Sequence, residues 1–154
     1  MLKWLWLSVG VIALDQITKA LASGHLLMHE PVPVIPFFDL NLMHNTGAAF
    51  SFLSQAGGWQ RWFFVVIAIG VSVALTWWLR QLQRNQHWLA AALALVLGGA
   101  LGNVWDRITL GYVVDFVDFY YGDWHWPAFN VADSAITVGA IMLLLDAVRG
   151  GRKS

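Results

Sequence analysis

Two aspartates stand out in this chain because of what surrounds them. Asp115 lies in Gly111-Tyr112-Val113-Val114-Asp115-Phe116, among bulky apolar neighbours. Asp133 follows Phe129-Asn130-Val131-Ala132 and opens an apolar stretch. Two carboxylates brought close together cannot both ionise, so such a pair holds one shared proton. The ionised member can activate a water while the protonated member donates to a carbonyl oxygen, a route to hydrolysing a peptide bond. Other chemistries lack their residues. The chain has no cysteine, which removes disulfides, thiolate metal sites, a cysteine nucleophile and a lipid-modified cysteine of its own. It has no Gly-x-Ser-x-Gly elbow and no His-Glu-x-x-His motif. His25, His29, His44, His87 and His125 are scattered without ligand spacing, and Lys19 has no apolar-set serine nearby. Spacing alone does not bring Asp115 to Asp133. Taken by itself, Asp133 also fits an ordinary helix N-cap, where Asp is favoured.

Further polar residues sit in or beside apolar stretches: Asp15, Lys19, Asn103, Asp106, Arg107 and Asn130. An ionisable group at membrane depth costs about 2.5–3.5 kcal/mol on insertion scales, so it is retained mainly when paired or functional. Asp15 and Lys19 are four residues apart, on one helix face, and can neutralise each other as a structural pair. Asp106-Arg107 reads equally as an interfacial pair. Asp118 and Asp123 read as ordinary loop acids, and Asp146 has no evident partner.

The elements that must position these groups follow from composition. The chain of 154 residues sets an expectation of one domain, residues 1–154. It is 58% hydrophobic and 12% charged, against about 25% charged for a soluble domain. Zero net charge gives no clustered positive field for nucleic acid. Four stretches approach the length of about 20 apolar residues that a bilayer requires: roughly 4–22, 62–79, 88–104 and 133–148. Tryptophans mark their ends, at 4, 6, 59, 62, 77, 78, 88, 105, 124 and 126, as expected where hydrocarbon meets headgroups. Lys3, Arg80, Arg84, Arg149, Arg152 and Lys153 flank the termini and the short middle connection, whereas 23–58 contains no Lys or Arg. The positive-inside rule then expects cytoplasmic termini, with the connections 23–58 and 105–132 facing outward. The first stretch has features of a cleavable signal peptide, but Asp15, Gln16 and Lys19 interrupt it, which favours a retained helix. Pro31, Pro33 and Pro36 exclude a helix in the 23–58 connection. The alternation of Phe38, Leu40 and Leu42 with Asp39 and Asn41 predicts a half-buried strand, with Asn45-Thr46-Gly47 as a turn. Gly98 and Gly102 form a small-xxx-small pair for close helix packing. The expected fold is an all-α membrane protein of four spans with a small extracytoplasmic sheet.

Four segments together resemble the lipoprotein signal peptidase (signal peptidase II) family. They are Asp15-Gln16-Ile17-Thr18-Lys19, Asn45-Thr46-Gly47-Ala48-Ala49-Phe50, Gly98 through Gly102-Asn103-Val104-Trp105-Asp106-Arg107 to Val114-Asp115-Phe116, and Phe129 to Ile136. They occur in the family's order and span the chain; the stretch 119–127 has no clear match. The resemblance implies a bacterial inner-membrane aspartic endopeptidase that removes signal peptides from diacylglyceryl-modified prolipoproteins, cutting before the modified cysteine. It places the catalytic dyad on Asp115 and Asp133. It implies that Asn45, Asn103, Arg107 and Asn130 hold the substrate backbone or orient the dyad, and that Asp15, Lys19 and Asp106 are structural. It implies prolipoprotein and membrane lipid as partners, with no metal or organic cofactor, and says nothing of oligomeric state. A helix N-terminus favours a charged carboxylate, so the ionised partner is expected at Asp133 and the protonated one at Asp115. The outward sheet would limit bulk water at the site. The rival readings are a small carboxylate-based transporter or proton-conducting subunit, and a non-catalytic scaffold. The first requires a polar path through mid-membrane, and the second leaves Asp115 without a purpose.

Overall fold

Apolar length and a lack of breakers give this chain its helices. In the computed structural model, which describes residues 1–47 and 58–150, they are α1 (Leu5–His25), α2 (Trp59–Gln81), α3 (His87–Thr109) and α4 (Val131–Gly150). A short 3-10 turn, Leu2–Trp4, leads into α1. All four are long and apolar enough to cross a membrane. Ala48 to Phe50, Arg152 and Lys153 lie outside the described residues.

The central element is α3, against which α1, α2 and α4 all pack. Its sequence explains why. Ala90, Ala92, Ala94, Gly98, Gly99 and Gly102 are small and buried, so neighbouring backbones come close. A Cβ added to Gly99 would run into the carbonyl oxygen of Ala132 on α4. One added to Gly98 would lie 2.8 Å from Val11 Cβ and 2.9 Å from the Ser8 carbonyl on α1. Gly102 differs: its space is taken by the Asp15 carboxylate, 2.8 Å from a built Cβ, so here the missing side chain admits a charge rather than a backbone. The other three helices turn large apolar residues outward, such as Val66, Val73, Leu144 and Val148. Such a surface suits hydrocarbon rather than water.

At one end of the bundle lies an antiparallel sheet of order β1-β2-β3-β4, built from β1 (Val32–Ile35), β2 (Phe38–Asn45), β3 (Val113–Tyr121) and β4 (Trp124–His125). Pro33 sits on the edge strand, where a missing N–H is tolerated. Two features depart from the sequence reading. The connection after α3 is not a plain loop, since α3 runs on to Thr109 and β3 follows after Gly111 (φ 91°). Polar residues of β2 are also buried: Asp39 and Asn41 lie in the interior together with Leu42, while Phe38 and Leu40 are only partly buried. The sheet therefore buries polar groups beside its apolar ones, Leu42, Val114 and Phe116. Its register breaks between Leu40 and Met43, which re-aims the strand end that carries Asn45.

Two arginines stand at the sheet end, and both are engaged. Arg61 donates to the Ile108 carbonyl at 2.8 Å and lies over the Trp62 ring. Arg107 donates to the Gly47 carbonyl at 3.0 Å. Replacing Gly99 with Ala should cost about 1–3 kcal/mol through overpacking against α4. Gly70→Ala, where nothing lies within 4 Å of the new atom, should be neutral or better. Thermal unfolding in detergent should separate the two variants by several degrees.

Candidate active site

Asp115 and Asp133 reach one place through a local fold-back. The backbone N–H groups of Phe116 and Val117 both donate to the Phe129 carbonyl, at 3.1 and 2.9 Å, and Phe129 N–H donates back to Val117. This pins the residue before Asn130 against β3, so that α4 begins beside Asp115.

The start of α4 is a reciprocal cap. The Asn130 side-chain oxygen accepts the Asp133 N–H at 2.9 Å, and the Asp133 carboxylate accepts the Asn130 N–H at 3.3 Å. Asn130 is thus the N-cap and Asp133 the third-position partner of a capping box. A further free N–H of this helix start, that of Ala132, donates to Asp15 on α1 at 2.9 Å. Asp15 lies ten residues before the end of α1, about 15 Å along its axis at 1.5 Å per residue. The start of α4 is therefore level with the middle of α1, and a recess is left beneath the sheet.

Both carboxylates are held by amides. Asp115, only 2% exposed, accepts from Asn130 Nδ2 at 2.7 Å and from Asn45 Nδ2 at 3.0 Å. Asp133 accepts from Asn103 Nδ2 at 2.8 Å. Asn130 is the common member, since one side chain binds Asp115 and caps Asp133. The Asn45 oxygen accepts the Gly47 N–H at 3.0 Å, forming the Asx turn that ends β2.

Behind these residues is a buried ion cluster. The Lys19 ammonium lies 2.8 Å from Asp15, 2.8 Å from Asp106 and 2.9 Å from the Asn103 oxygen. Asp106 also accepts the Val114 N–H at 3.2 Å and Gln16 Nε2 at 2.8 Å. In contrast, Arg107 sends its hydrogen bonds to the carbonyls of Gly47, at 3.0 Å, and Asn103, and lies over the Phe64 ring. It lines the same cavity as the two aspartates, which has a volume of about 1340 Å³.

The sequence reading missed two participants. Gln16 joins the ion cluster, and Asp118 is not a loop acid but a buried residue of β3. Asp118 accepts from Asn41 Nδ2 at 3.2 Å, lies 3.0 Å from His125 Nδ1, and faces the cavity. Its three-residue spacing from Asp115 is the only hint the sequence offered, and strand alternation argues against it.

The electrostatics make Asp115 unusual. Burial pushes its carboxyl up to about 7, and the neighbouring charge of Asp133 adds to this, against the pull of the Asn45 and Asn130 amides and the Lys19 charge. A carboxylic acid protonated near neutrality, beside a second carboxylate and facing a cavity, can act as a proton donor.

The chain is similar to known proteins over nearly its whole length. A family model described as signal peptidase (SPase) II matches residues 7–149. The chain is 52% identical over 152 residues to the lipoprotein signal peptidase of Alteromonas mediterranea, covering 99% of this chain and 84% of that protein. It is 58% identical over 147 residues to the lipoprotein signal peptidase of Pseudomonas fluorescens, covering 94% and 86% respectively. In three dimensions it is similar to a bacterial membrane enzyme determined by the in meso method at 2.3 Å resolution. The TM-score is 0.89 at 31% identity, with 100% of this chain and 92% of that one covered.

Isotope-edited infrared titration should find the Asp115 carboxyl losing its proton near pH 7. In an Asp133→Asn variant the midpoint should fall, because the repelling charge is gone. It should stay above the ordinary carboxylate range, because burial remains. An Asp115 that titrates near 4 in the unaltered protein would contradict this environment.

Proposed function

We propose that this chain, which belongs to the signal peptidase II family and is an aspartic peptidase that removes signal peptides from prolipoproteins, uses Asp115 and Asp133 as its catalytic pair. The observation that carries the assignment is Asn130, whose one side chain binds Asp115 and caps Asp133 at the wall of a single cavity. In the resting pair Asp115 holds the proton and Asp133 is ionised. The water attacks the scissile carbonyl carbon as Asp133 takes its proton, while Asp115 gives its own proton to the carbonyl oxygen. The resulting tetrahedral intermediate collapses: Asp133 passes its proton to the leaving nitrogen, and a hydroxyl proton returns to Asp115. The C–N bond breaks and the pair is restored.

The surrounding residues support this course. Asn45, Asn130 and Asn103 fix the two carboxylates. Arg107, on the cavity wall, is placed to meet the substrate backbone. A cavity of about 1340 Å³ exceeds the roughly 300–1,000 Å³ usual for a small molecule, and suits an extended peptide with a lipid on its cysteine. Part of its lining, Ser134, Thr137 and Val138, runs along α4 into the membrane-spanning region, where a diacylglyceryl group would lie. We place residues 1–154 in one peptidase domain of the bacterial inner membrane. Lys3, Arg80 and Arg84 cluster at the end of the bundle away from the sheet, which favours cytoplasmic termini and an active site near the outer face. The carrier alternative is not favoured, since residues 62–79 of α2 and 134–145 of α4 contain no ionisable side chain.

Asp115→Asn and Asp133→Asn, made singly, should each reduce cleavage of a lipid-modified prolipoprotein in liposomes by about 10³-fold or more while the protein stays folded. Near-normal turnover in either would refute the pair. The rate should decline as pH rises through about 7, where Asp115 loses the proton it must donate. A rate that stays level to pH 9 would assign the donor elsewhere. The sheet should act as a cover over bound substrate; cross-linking β1 to the helices with no loss of turnover would disprove that role.

A further inference from the structure

Lys19 balances charge in the buried cluster, but its three contacts give it more to do. An ammonium has three protons and no acceptor. Those of Lys19 point to Asp15 (2.8 Å), Asp106 (2.8 Å) and the Asn103 oxygen (2.9 Å), and the residue is 3% exposed. The third bond is not needed for charge balance, since two carboxylates already face one ammonium. Its consequence lies on the other side of Asn103. An asparagine amide can present either its oxygen or its nitrogen to a neighbour by rotating half a turn. With the oxygen held by Lys19, the nitrogen must face Asp133, to which it donates at 2.8 Å. The reversed amide would set its N–H₂ against an ammonium and its oxygen against a carboxylate, and both contacts would repel. The same Asn103 oxygen also receives Asn130 Nδ2 at 3.3 Å, so the fixed amide bears on the residue that joins the two aspartates.

We propose that Lys19 is a positioning residue of the peptidase reaction: its ammonium locks the Asn103 amide in the one orientation that donates to Asp133. This rests on the dyad assignment above. Asp15 completes the device, since its second oxygen ties the Ala132 N–H at the start of α4 to the helix that carries Lys19. The charged groups facing this space are Asp15 and Lys19 of α1, Asp106 and Arg107 of α3, Asp115 of β3 and Asp133 of α4. Lys19 also draws Asp115 toward its charged form, a second link from the cluster to the pair.

Removing Lys19 alone would strand two buried carboxylates, so the test is the double variant Asp15→Asn with Lys19→Met. It keeps the net charge of the cluster, and the amide oxygen introduced in place of the Asp15 carboxylate can still accept the Ala132 N–H. Assayed in liposomes on a lipid-modified prolipoprotein, a variant that unfolds within a few degrees of the parent should show kcat lowered about 10²-fold with KM unchanged, because Lys19 touches no substrate. The decline of rate above neutral pH should move to higher pH, since Asp115 has lost the charge that drew its proton off. A folded double variant with kcat within threefold of the parent and an unmoved pH profile would show Lys19 to be structural only. Should the variant not fold, the side-chain amide spectrum of ¹⁵N-asparagine-labelled parent protein decides. A single slowly exchanging Asn103 amide supports the lock, and two interconverting amide sets overturn it. The dyad reading fails separately, when Asp133→Asn retains turnover; if Asp133→Asn is inactive and the double variant is normal, only the role of Lys19 is lost.

Discussion

A lysine ammonium buried between α1 and α3 is the constraint on which the sheet end of this molecule hangs. Taking charge out of water costs several kcal/mol per ion, and the loss is recovered only if partners and geometry are complete. Lys19 meets that demand with Asp15 on its own helix and Asp106 on α3. Each acid then uses its remaining capacity elsewhere: Asp15 on the first turn of α4, Asp106 on the backbone of β3 and on Gln16. One charge cluster therefore sets the relative heights of α1, α3, α4 and β3. Gly102 is the concession that makes it possible, because any side chain there would occupy the space of the Asp15 carboxylate.

From that frame the two cavity aspartates inherit unequal surroundings. Asp133 lies in the first turn of a helix, where the aligned backbone favours negative charge, and it is bound into the capping box. Asp115 lies on a strand and is buried, with Asp133 as its neighbour. Carboxylates placed in environments that push them apart are how acid and base roles are divided between like groups. The division proposed here needs no residue beyond those that already hold the fold together. This explains why amides crowd the site: asparagine can donate to a carboxylate and accept from an N–H without bringing a charge of its own.

Much of this is legible in the residues. Long apolar stretches and the tryptophans at their ends locate four helices, and the small residues of α3 announce close packing. Asp115 draws notice as an acid among apolar neighbours. What the sequence does not carry is pairing at a distance. β3 escapes notice because its aspartates at 115 and 118 break any alternation, although Gly111 and Gly122 bracket a run of β-branched and aromatic residues. The burial of Asp39 and Asn41 on β2 beside the core residue Leu42 is not expected either, since alternation says which residues share a face but not whether both faces are covered. Asp133 by itself suggests a cap, whereas Asn130 holds that position and Asp133 answers it from one turn on. Asp118 passes for a loop acid because its partner His125 is brought to it only by the hairpin between β3 and β4.

The central claim is that a single scissile bond meets both Asp115 and Asp133. The most direct measurement is a crystal structure of the protein with a lipid-modified prolipoprotein peptide whose scissile amide is replaced by a hydroxyethylene group, which mimics the tetrahedral intermediate. The hydroxyl should lie between the two carboxylates, within about 2.6–3.2 Å of an oxygen of each. A hydroxyl bound by only one of them, or seated elsewhere in the cavity, would contradict it.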